Sequence, residues 1–566
     1  MAKAWTQDKV VYQIYPKSFQ DTTGNGQGDL AGIISRLDYL QFLGVDILWL
    51  TPVYPSPQVD NGYDVTDYCA IDPGYGTMED FERLVREARQ RDLSIMMDMV
   101  FNHTSTRHPW FVQACDPQSP YHPFYIWQDS PPEKPPTNWL SKFGGPAWQW
   151  QPQCGQHYLH LFSREQADLN WEHPPVREAL KEVCRFWAGK GVDALRLDVV
   201  NLISKPACFT DDPDGDGRSF YTDGPRVHEF LREMNRDVFS PLQLVTVGEM
   251  SSTTLEHCQQ YASVDNTELS MAFNFHHLKV DYRNGEKWTL AAADFVALKK
   301  IFSDWQQGMH QRANGALFWG NHDQPRVVSR FGNDTTFRQH SAKMLAMVLY
   351  GMQGTPYLYQ GEEIGMTNAG FTQISQYRDV ESLTMYHLLT RQGLSSRDTL
   401  DILAAKSRDN SRTPMLWDNS KNAGFSSGTP WLECAAPAAG MNVAAAIGDP
   451  DSVLHTYRQL IQLRKQLAVL QFGDYRDLCP ANSRIWCYCR RWQDQLLLVA
   501  ANLTDSAIRW LPPSLPQTGE YHPLINNYPD ADPLRQGGYF KPYQAVWWLL
   551  TPETPEHFPT DNNHGS

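Results

Sequence analysis

Four short segments set carboxylates beside arginine or histidine: Asp98-Met99-Val100-Phe101-Asn102-His103, Leu195-Arg196-Leu197-Asp198, Val247-Gly248-Glu249 and Trp319-Gly320-Asn321-His322-Asp323. Singly each is ordinary, since Asp98 inside an apolar run reads as a buried hydrogen-bonded group and Glu249 as a neighbour of a helix N-cap. Together, Asp198, Glu249 and Asp323 outline one acidic floor. Retaining glycoside hydrolysis wants such a floor: an ionised carboxylate attacks the anomeric carbon, a protonated one donates to the leaving oxygen, and about 5 Å separates the pair. Asp198 fits the nucleophile and Glu249 the acid and base. Arg196, two residues before Asp198, points to the same side of a strand and keeps that aspartate ionised. Glu249 needs a raised pKa, which burial among like charges supplies. Asp323 is then placed to stabilise the oxocarbenium-like transition state, with His103 and His322 bonded to ring hydroxyls.

These residues need a scaffold that brings distant segments to one rim. Eight short apolar runs, each followed by a longer helix-compatible stretch, fall at residues 10–15, 47–50, 95–100, 194–199, 244–247, 269–275, 316–319 and 356–359. Near-continuous apolar runs of this length are the mark of strands buried on both faces, and eight of them predict a (β/α)8 TIM barrel of the α/β class. Residues 79–92 carry Phe81, Leu84, Val85 and Ala88 at helical spacing, with Asp80 near a capping position. Barrel enzymes gather catalytic groups at the C-terminal ends of their strands, where the four segments lie. More than a helix separates the third run from the fourth: the stretch 104–169 is rich in Pro, Trp, His and Gly and reads as an inserted subdomain. Residues 453–467 read as the last barrel helix. Alternating strands at 484–492, 495–502 and 545–550 follow without helices between them. The expected organisation is a barrel over 1–103 and 170–475, a C-terminal antiparallel β domain over 476–551, and a polar tail at 552–566.

Composition narrows the class. With 49 basic against 64 acidic side chains and a net charge of -15, the 566-residue chain is ill suited to a nucleic acid. No run of about 20 apolar residues and no signal-peptide core occurs, so a cytoplasmic protein without a membrane anchor is expected. Ten scattered cysteines read as reduced thiols; Cys487 and Cys489 share a strand face, but no second pair stands near for zinc. Aromatic residues at 12% suit stacking on sugar faces as well as a large core.

The four segments, in order and with Gln166-Ala167-Asp168-Leu169-Asn170, resemble the conserved regions of the α-amylase superfamily, glycoside hydrolase family thirteen, with Ala167 where the family has proline. Val199 directly after Asp198, Asp60-Asn61-Gly62-Tyr63-Asp64 and Arg408-Asp409-Asn410-Ser411-Arg412-Thr413-Pro414 resemble its oligo-1,6-glucosidase-like branch. The resemblance implies an exo-acting pocket in which Asp60 and Arg412 close the end around the non-reducing glucose, Tyr63 and Phe162 stack on it, and Gln166 belongs to the sugar site. Phe273-Asn274-Phe275-His276-His277-Leu278-Lys279-Val280-Asp281-Tyr282, with Gly285-Glu286-Lys287-Trp288, resembles the members of the branch that hydrolyse trehalose 6-phosphate. It implies a sugar phosphate substrate held by Lys279 and Lys287. Oligo-1,6-glucosidase activity is the alternative, and an inactive amylase-like binding subunit a distant one. A monomer is expected, and the chemistry requires no cofactor.

A structural Ca²⁺ is a separate expectation. Asp21, Thr23, Asn25, Gln27 and Asp29 set oxygen atoms at alternate positions around Gly26, as in the first part of an EF-hand loop, and related glucosidases bind Ca²⁺ in a similar loop. A turn held by Asx hydrogen bonds is the alternative. The acidic loop 211–217 reads as a solvated surface turn.

Overall fold

The computed structural model describes residues 8–436, 440–512 and 520–551. Its core is a ring of eight parallel strands: β1 (Val11–Ile14), β2 (Ile47–Leu50), β3 (Ser94–Met99), β4 (Ala194–Leu197), β5 (Val245–Met250), β6 (Met271–Asn274), β7 (Ala316–Leu317) and β8 (Thr355–Tyr359). They hydrogen-bond in the order β6-β5-β4-β3-β2-β1-β8-β7. A parallel bridge between Ala272 on β6 and Gly315, the residue before β7, closes the ring. Every one of these strands is buried along nearly its whole length, inside by packed side chains and outside by helices, which is why each reads as an unbroken apolar run. The helix expected at 79–92 runs from Met78 to Arg89, because Thr77 and Asp80 form a reciprocal capping box and Asp92 turns left-handed at φ 57°.

Register decides what meets at the rim. Asp98 on β3 stands beside Arg196 on β4, and Val247 on β5 flanks Arg196 from the other side. Continuing two residues along each strand brings Asp198 and Glu249 to the same level and the same face. Val199 then takes the left-handed conformation, φ 36°, a strained choice for a β-branched residue that ends the strand abruptly beneath Asp198. Below this level Trp49, Phe273 and Tyr357 fill the barrel, with ring centroids 4.5–6.1 Å apart.

The insertion after β3 leaves and returns through a short antiparallel pair, His103–Ser105 with Gln166–Asp168, so His103 and Gln166 lie at its neck. Beyond the neck sits a three-stranded sheet of Trp127–Gln128, Gln156–Leu159 and Trp148–Gln151. The acidic loop 211–217 is a surface turn, exposed at Asp211, Pro213 and Asp214, with one buried anchor. Asp212 is 2% exposed, its carboxylate accepts the backbone N–H groups of Asp214 and Gly217, and its backbone exchanges hydrogen bonds with the Asn138 side chain of the insertion. Just before the loop, the Thr210 carbonyl accepts from the Trp139 indole and Phe209 packs on its ring.

The last barrel helix, Val453–Gln466, is clamped by Arg464, whose buried guanidinium donates to the carbonyls of Tyr350, Met352 and Gly354. The C-terminal sheet is antiparallel and five-stranded, in the order Arg476–Asp477, Ile485–Trp492, Gln495–Asn502, Ala545–Thr551, Glu520–Asn526. Glu520–Asn526 is a strand that the alternation does not announce, because Pro523 sits in it at a bulge on the sheet edge, where a missing N–H costs least. Residues 552–566, the expected polar tail, lie outside the described residues. No helix among the described residues is long and apolar enough to cross a membrane.

Candidate active site

A pocket of about 540 Å³ opens at the C-terminal rim of the barrel. Its walls include Asp198, Glu249, Asp323, Asp60, Tyr63, His103 and Phe162, together with Lys279 and Lys287 at the mouth. One step behind stand Arg196, Gln166, His322 and Arg412, each in contact with a wall residue.

Arg196 is 1% exposed and lies over Trp49, 5.1 Å from the ring centroid. Its Nη1 donates to Asp98 at 2.7 Å and to Asp198 at 2.6 Å, and its Nη2 donates to Glu249. Three buried carboxylates on one guanidinium cannot all be ionised cheaply. Burial raises Glu249, Arg196 opposes it, and the charges of Asp198 and Asp323 add to burial, so the carboxyl is pushed up to about 8. Burial also raises Asp198, but Arg196 and a hydrogen bond with Glu249 pull it back to about 6. At neutral pH Glu249 therefore holds a proton and donates to an ionised Asp198. Groups that share a guanidinium and a hydrogen bond are too close for the roughly 6.5–9.5 Å gap that an inverting water occupies.

Asp323 differs from both. Burial opposes its ionisation, yet neighbouring His322, Arg408 and Arg412 outweigh burial and hold the carboxyl well below the usual range. Arg412 donates to it at 2.6 Å and Arg408 at 3.3 Å. Burial keeps His322 neutral, its pKa pushed down to about 3, so the arginines carry the field. Gln13 donates to His322 Nδ1 at 2.8 Å, which puts the ring proton on Nε2. That nitrogen lies 3.4 Å from Asp323 and has no hydrogen-bond partner, while the ring stacks on Tyr63 at 5.2 Å and an interplanar angle of 2°.

At the closed end Asp60 accepts from Gln166 at 3.1 Å and from Arg408 at 3.0 Å. The partner of Asp60 is thus Arg408, whereas Arg412, 1% exposed, backs Asp323. Asp379 braces both arginines, 2.6 Å from Arg408 and 3.5 Å from Arg412. His103 donates to the Tyr63 carbonyl at 3.1 Å and packs on Phe162 at 5.2 Å. Arg408 and Asp379 escaped the sequence reading. Arg408 lies in the motif that supplied Arg412, but nothing in the spacing tells which of the two reaches Asp60, and Asp379 belongs to no recognised pattern.

At the mouth Lys287 is bonded through Nζ to both oxygens of Glu381, at 2.8 and 2.9 Å. Among the described residues Lys279 donates only to the Ser252 hydroxyl, at 3.1 Å.

The residues expected for Ca²⁺ lie together in one loop. Asp21 accepts the backbone N–H groups of Thr23, Gly24 and Gly26 and the hydroxyls of Thr23 and Ser426. Asp29 caps the helix Leu30–Ser35 through the Gly32 N–H and binds Thr22, and Asn25 accepts from the Gln27 N–H. The two carboxylates thus accept from donors of their own loop, of the helix that follows and of Ser426. Among the described residues no group of three or more His, Cys, Asp or Glu side chains is arranged for a metal.

Comparison with known proteins agrees with the barrel. Residues 13–473 match the model of the alpha amylase catalytic domain. The chain belongs to the alpha-amylase family. This family member is 61% identical over 545 residues to the trehalose-6-phosphate hydrolase of Escherichia coli (strain K12), covering 96% of this chain and 98% of that one. It is 45% identical over 558 residues to the probable oligo-1,6-glucosidase 2 of Bacillus subtilis (strain 168), at 97% and 99% coverage. The crystal structure of Bacillus licheniformis trehalose-6-phosphate hydrolase superposes on it with a TM-score of 0.92 at 51% identity, covering 97% of this chain and all of the other.

Removing Arg408 leaves Asp60 without its cation and Asp379 with Arg412 alone, at 3.5 Å. Arg408→Met is expected to destabilise the fold by about 3–5 kcal/mol near pH 8, the cost of a broken buried pair. Arg408 holds the Asp379 carboxyl low, against burial, so its stabilising contribution is present above the unfolded carboxylate range. Without Arg408 the stranded carboxyls take up protons more readily, and the deficit shrinks at pH 5. Denaturant unfolding of parent and variant at both pH values measures it.

Proposed function

We infer that the chain is a retaining α-glucoside hydrolase that cleaves trehalose 6-phosphate to glucose and glucose 6-phosphate. The reaction class is carried by one observation, the Asp198 and Glu249 carboxyls bonded to the two ends of the Arg196 guanidinium with their ionisations pushed apart. The substrate is supported by the higher identity to a trehalose-6-phosphate hydrolase, 61%, than to an oligo-1,6-glucosidase, 45%, both over nearly the whole chain.

The unphosphorylated glucose enters first and occupies the closed end, where Asp60, Arg408 and Phe162 surround it and Tyr63, backed by His322, presents a flat face. The glycosidic bond then lies between Asp198 and Glu249. Asp198 attacks the anomeric carbon as Glu249 protonates the bridging oxygen, and glucose 6-phosphate departs. Asp323, kept ionised by two arginines, stabilises the positive charge that develops on the ring. In the second half Glu249, now a base, takes a proton from water, which attacks the glucosyl-Asp198 ester and releases glucose with net retention. These steps use carboxyl groups alone and need no cofactor. All ten cysteines are free, which fits a reducing cytoplasm, and one chain supplies the whole pocket, so a monomer suffices.

Two outcomes are expected. Supplied separately with trehalose 6-phosphate, trehalose and isomaltose, the purified protein should turn over trehalose 6-phosphate with the highest kcat/KM; a preference for isomaltose would contradict the substrate and favour an oligo-1,6-glucosidase. Activity requires Asp198 ionised and Glu249 protonated, so kcat/KM should fall as pH drops through about 6 and again as it rises through about 8. An unphosphorylated aryl α-glucoside as substrate removes the ionisation of the substrate phosphate from that profile.

A further inference from the structure

Two catalytic carboxyls on neighbouring strands have to stay at one level, yet the ladder between those strands stops just below them. The last β4–β5 pair is Leu197 with Gly248. Past it β4 ends, because Val199 turns left-handed, while β5 runs on through Glu249 to Met250. On its other side β5 keeps its partner, pairing Glu249 with Phe273 and Met250 with Asn274. Glu249 is therefore the first residue of β5 with no strand beside it on the side of Asp198. Peptide groups beyond that point need another partner.

Asn201 supplies it. This residue lies in the short turn Val200–Leu202, three residues after Asp198, and is fully buried. Its Oδ1 accepts the backbone N–H of Ser251 at 2.9 Å, and its Nδ2 donates to the Ser251 carbonyl at 2.9 Å. An amide side chain offers an acceptor and a donor side by side, as the peptides of a strand do. The second Nδ2 hydrogen goes to the Asp223 carboxylate at 3.0 Å, which also accepts from the Tyr261 hydroxyl at 2.7 Å. The Asp223 N–H in turn donates to the Asn201 carbonyl at 3.0 Å. With an N–H on one side and two oxygens on the other, the amide has one orientation only. Ser251 stands two residues past Glu249, so the strands of nucleophile and acid are tied above the carboxyls by this side chain and below them by the ladder.

We propose that Asn201 is a positioning residue for the acid: its amide replaces the missing stretch of β4 and holds the end of β5 where the Glu249 carboxyl reaches the leaving oxygen beside Asp198. This rests on the roles assigned to Asp198 and Glu249 above. Released from Asn201, the end of β5 moves away from β4. Glu249 then gives up burial first and the Asp198 charge second, both of which raise it, so its proton is lost at lower pH.

Leaving groups read the acid directly, because kcat/KM covers the steps up to departure of the aglycone. Phenyl α-glucoside needs a proton on its departing oxygen, whereas 2,4-dinitrophenyl α-glucoside departs almost without one, and neither carries a phosphate. In the full chain Asn201→Ala, and Asn201→Leu, which keeps the volume, should each lower kcat/KM about 30-fold on the phenyl glucoside and about threefold or less on the other. The ratio of the two, taken on one preparation, is independent of how much of the protein is folded. The alkaline fall of kcat/KM, placed at about 8 in the parent, should move down by about half a pH unit or more. Equal losses on both substrates with an unmoved alkaline limb, or no loss at all, overturn the role of Asn201. Glu249→Gln should show the same selectivity more strongly; its absence there overturns the catalytic assignment instead.

Discussion

One guanidinium sets the chemistry of this molecule. Arg196 sits sealed above Trp49 with Asp98, Asp198 and Glu249 around it, and its single positive charge cannot balance three negative ones in a dry site. One carboxyl has to keep its proton. Asp98 and Asp198 share Nη1, whereas Glu249 also feels Asp198 and Asp323, so Glu249 is the group that stays neutral. Nucleophile and acid are thereby assigned by electrostatics and not by residue type. The barrel's contribution is register: β3, β4 and β5 must lie side by side for one arginine to reach all three.

A second charge network closes the other end. Arg408 and Arg412 are braced by Asp379 and divide their remaining bonds between Asp60 and Asp323. Asp323 is thus ionised where Glu249 is protonated, because it has two arginines where Glu249 has a share of one, and it is also the more exposed of the two. Each role follows from the local ratio of cations to carboxylates. The mouth reverses that ratio, with cations in excess, and so the global charge of -15 says little about the ligand.

Much of this was legible in the sequence because barrel strands are buried on both faces and leave continuous apolar runs, with the chemistry written at their ends. Asp198, Glu249 and Asp323 could be named from position alone. What escaped was set by contacts between distant segments. Lys287 reads as a free cation until Glu381, 94 residues on, is folded against it. Arg408 and Arg412 are one helical turn apart, and only the folded loop tells which of them reaches Asp60. Asp212 sits in an acidic loop that is largely exposed, and composition does not tell that this one carboxylate turns inward to cap its own turn.

The central claim is a covalent glucosyl-Asp198 formed beside a protonated Glu249. A fluorinated α-glucosyl fluoride, which slows breakdown of the ester, should label the protein with one hexosyl unit, and peptide mass spectrometry should place it on Asp198. A label on Asp323 or Glu249, or release of the inverted sugar with no label, would contradict the account.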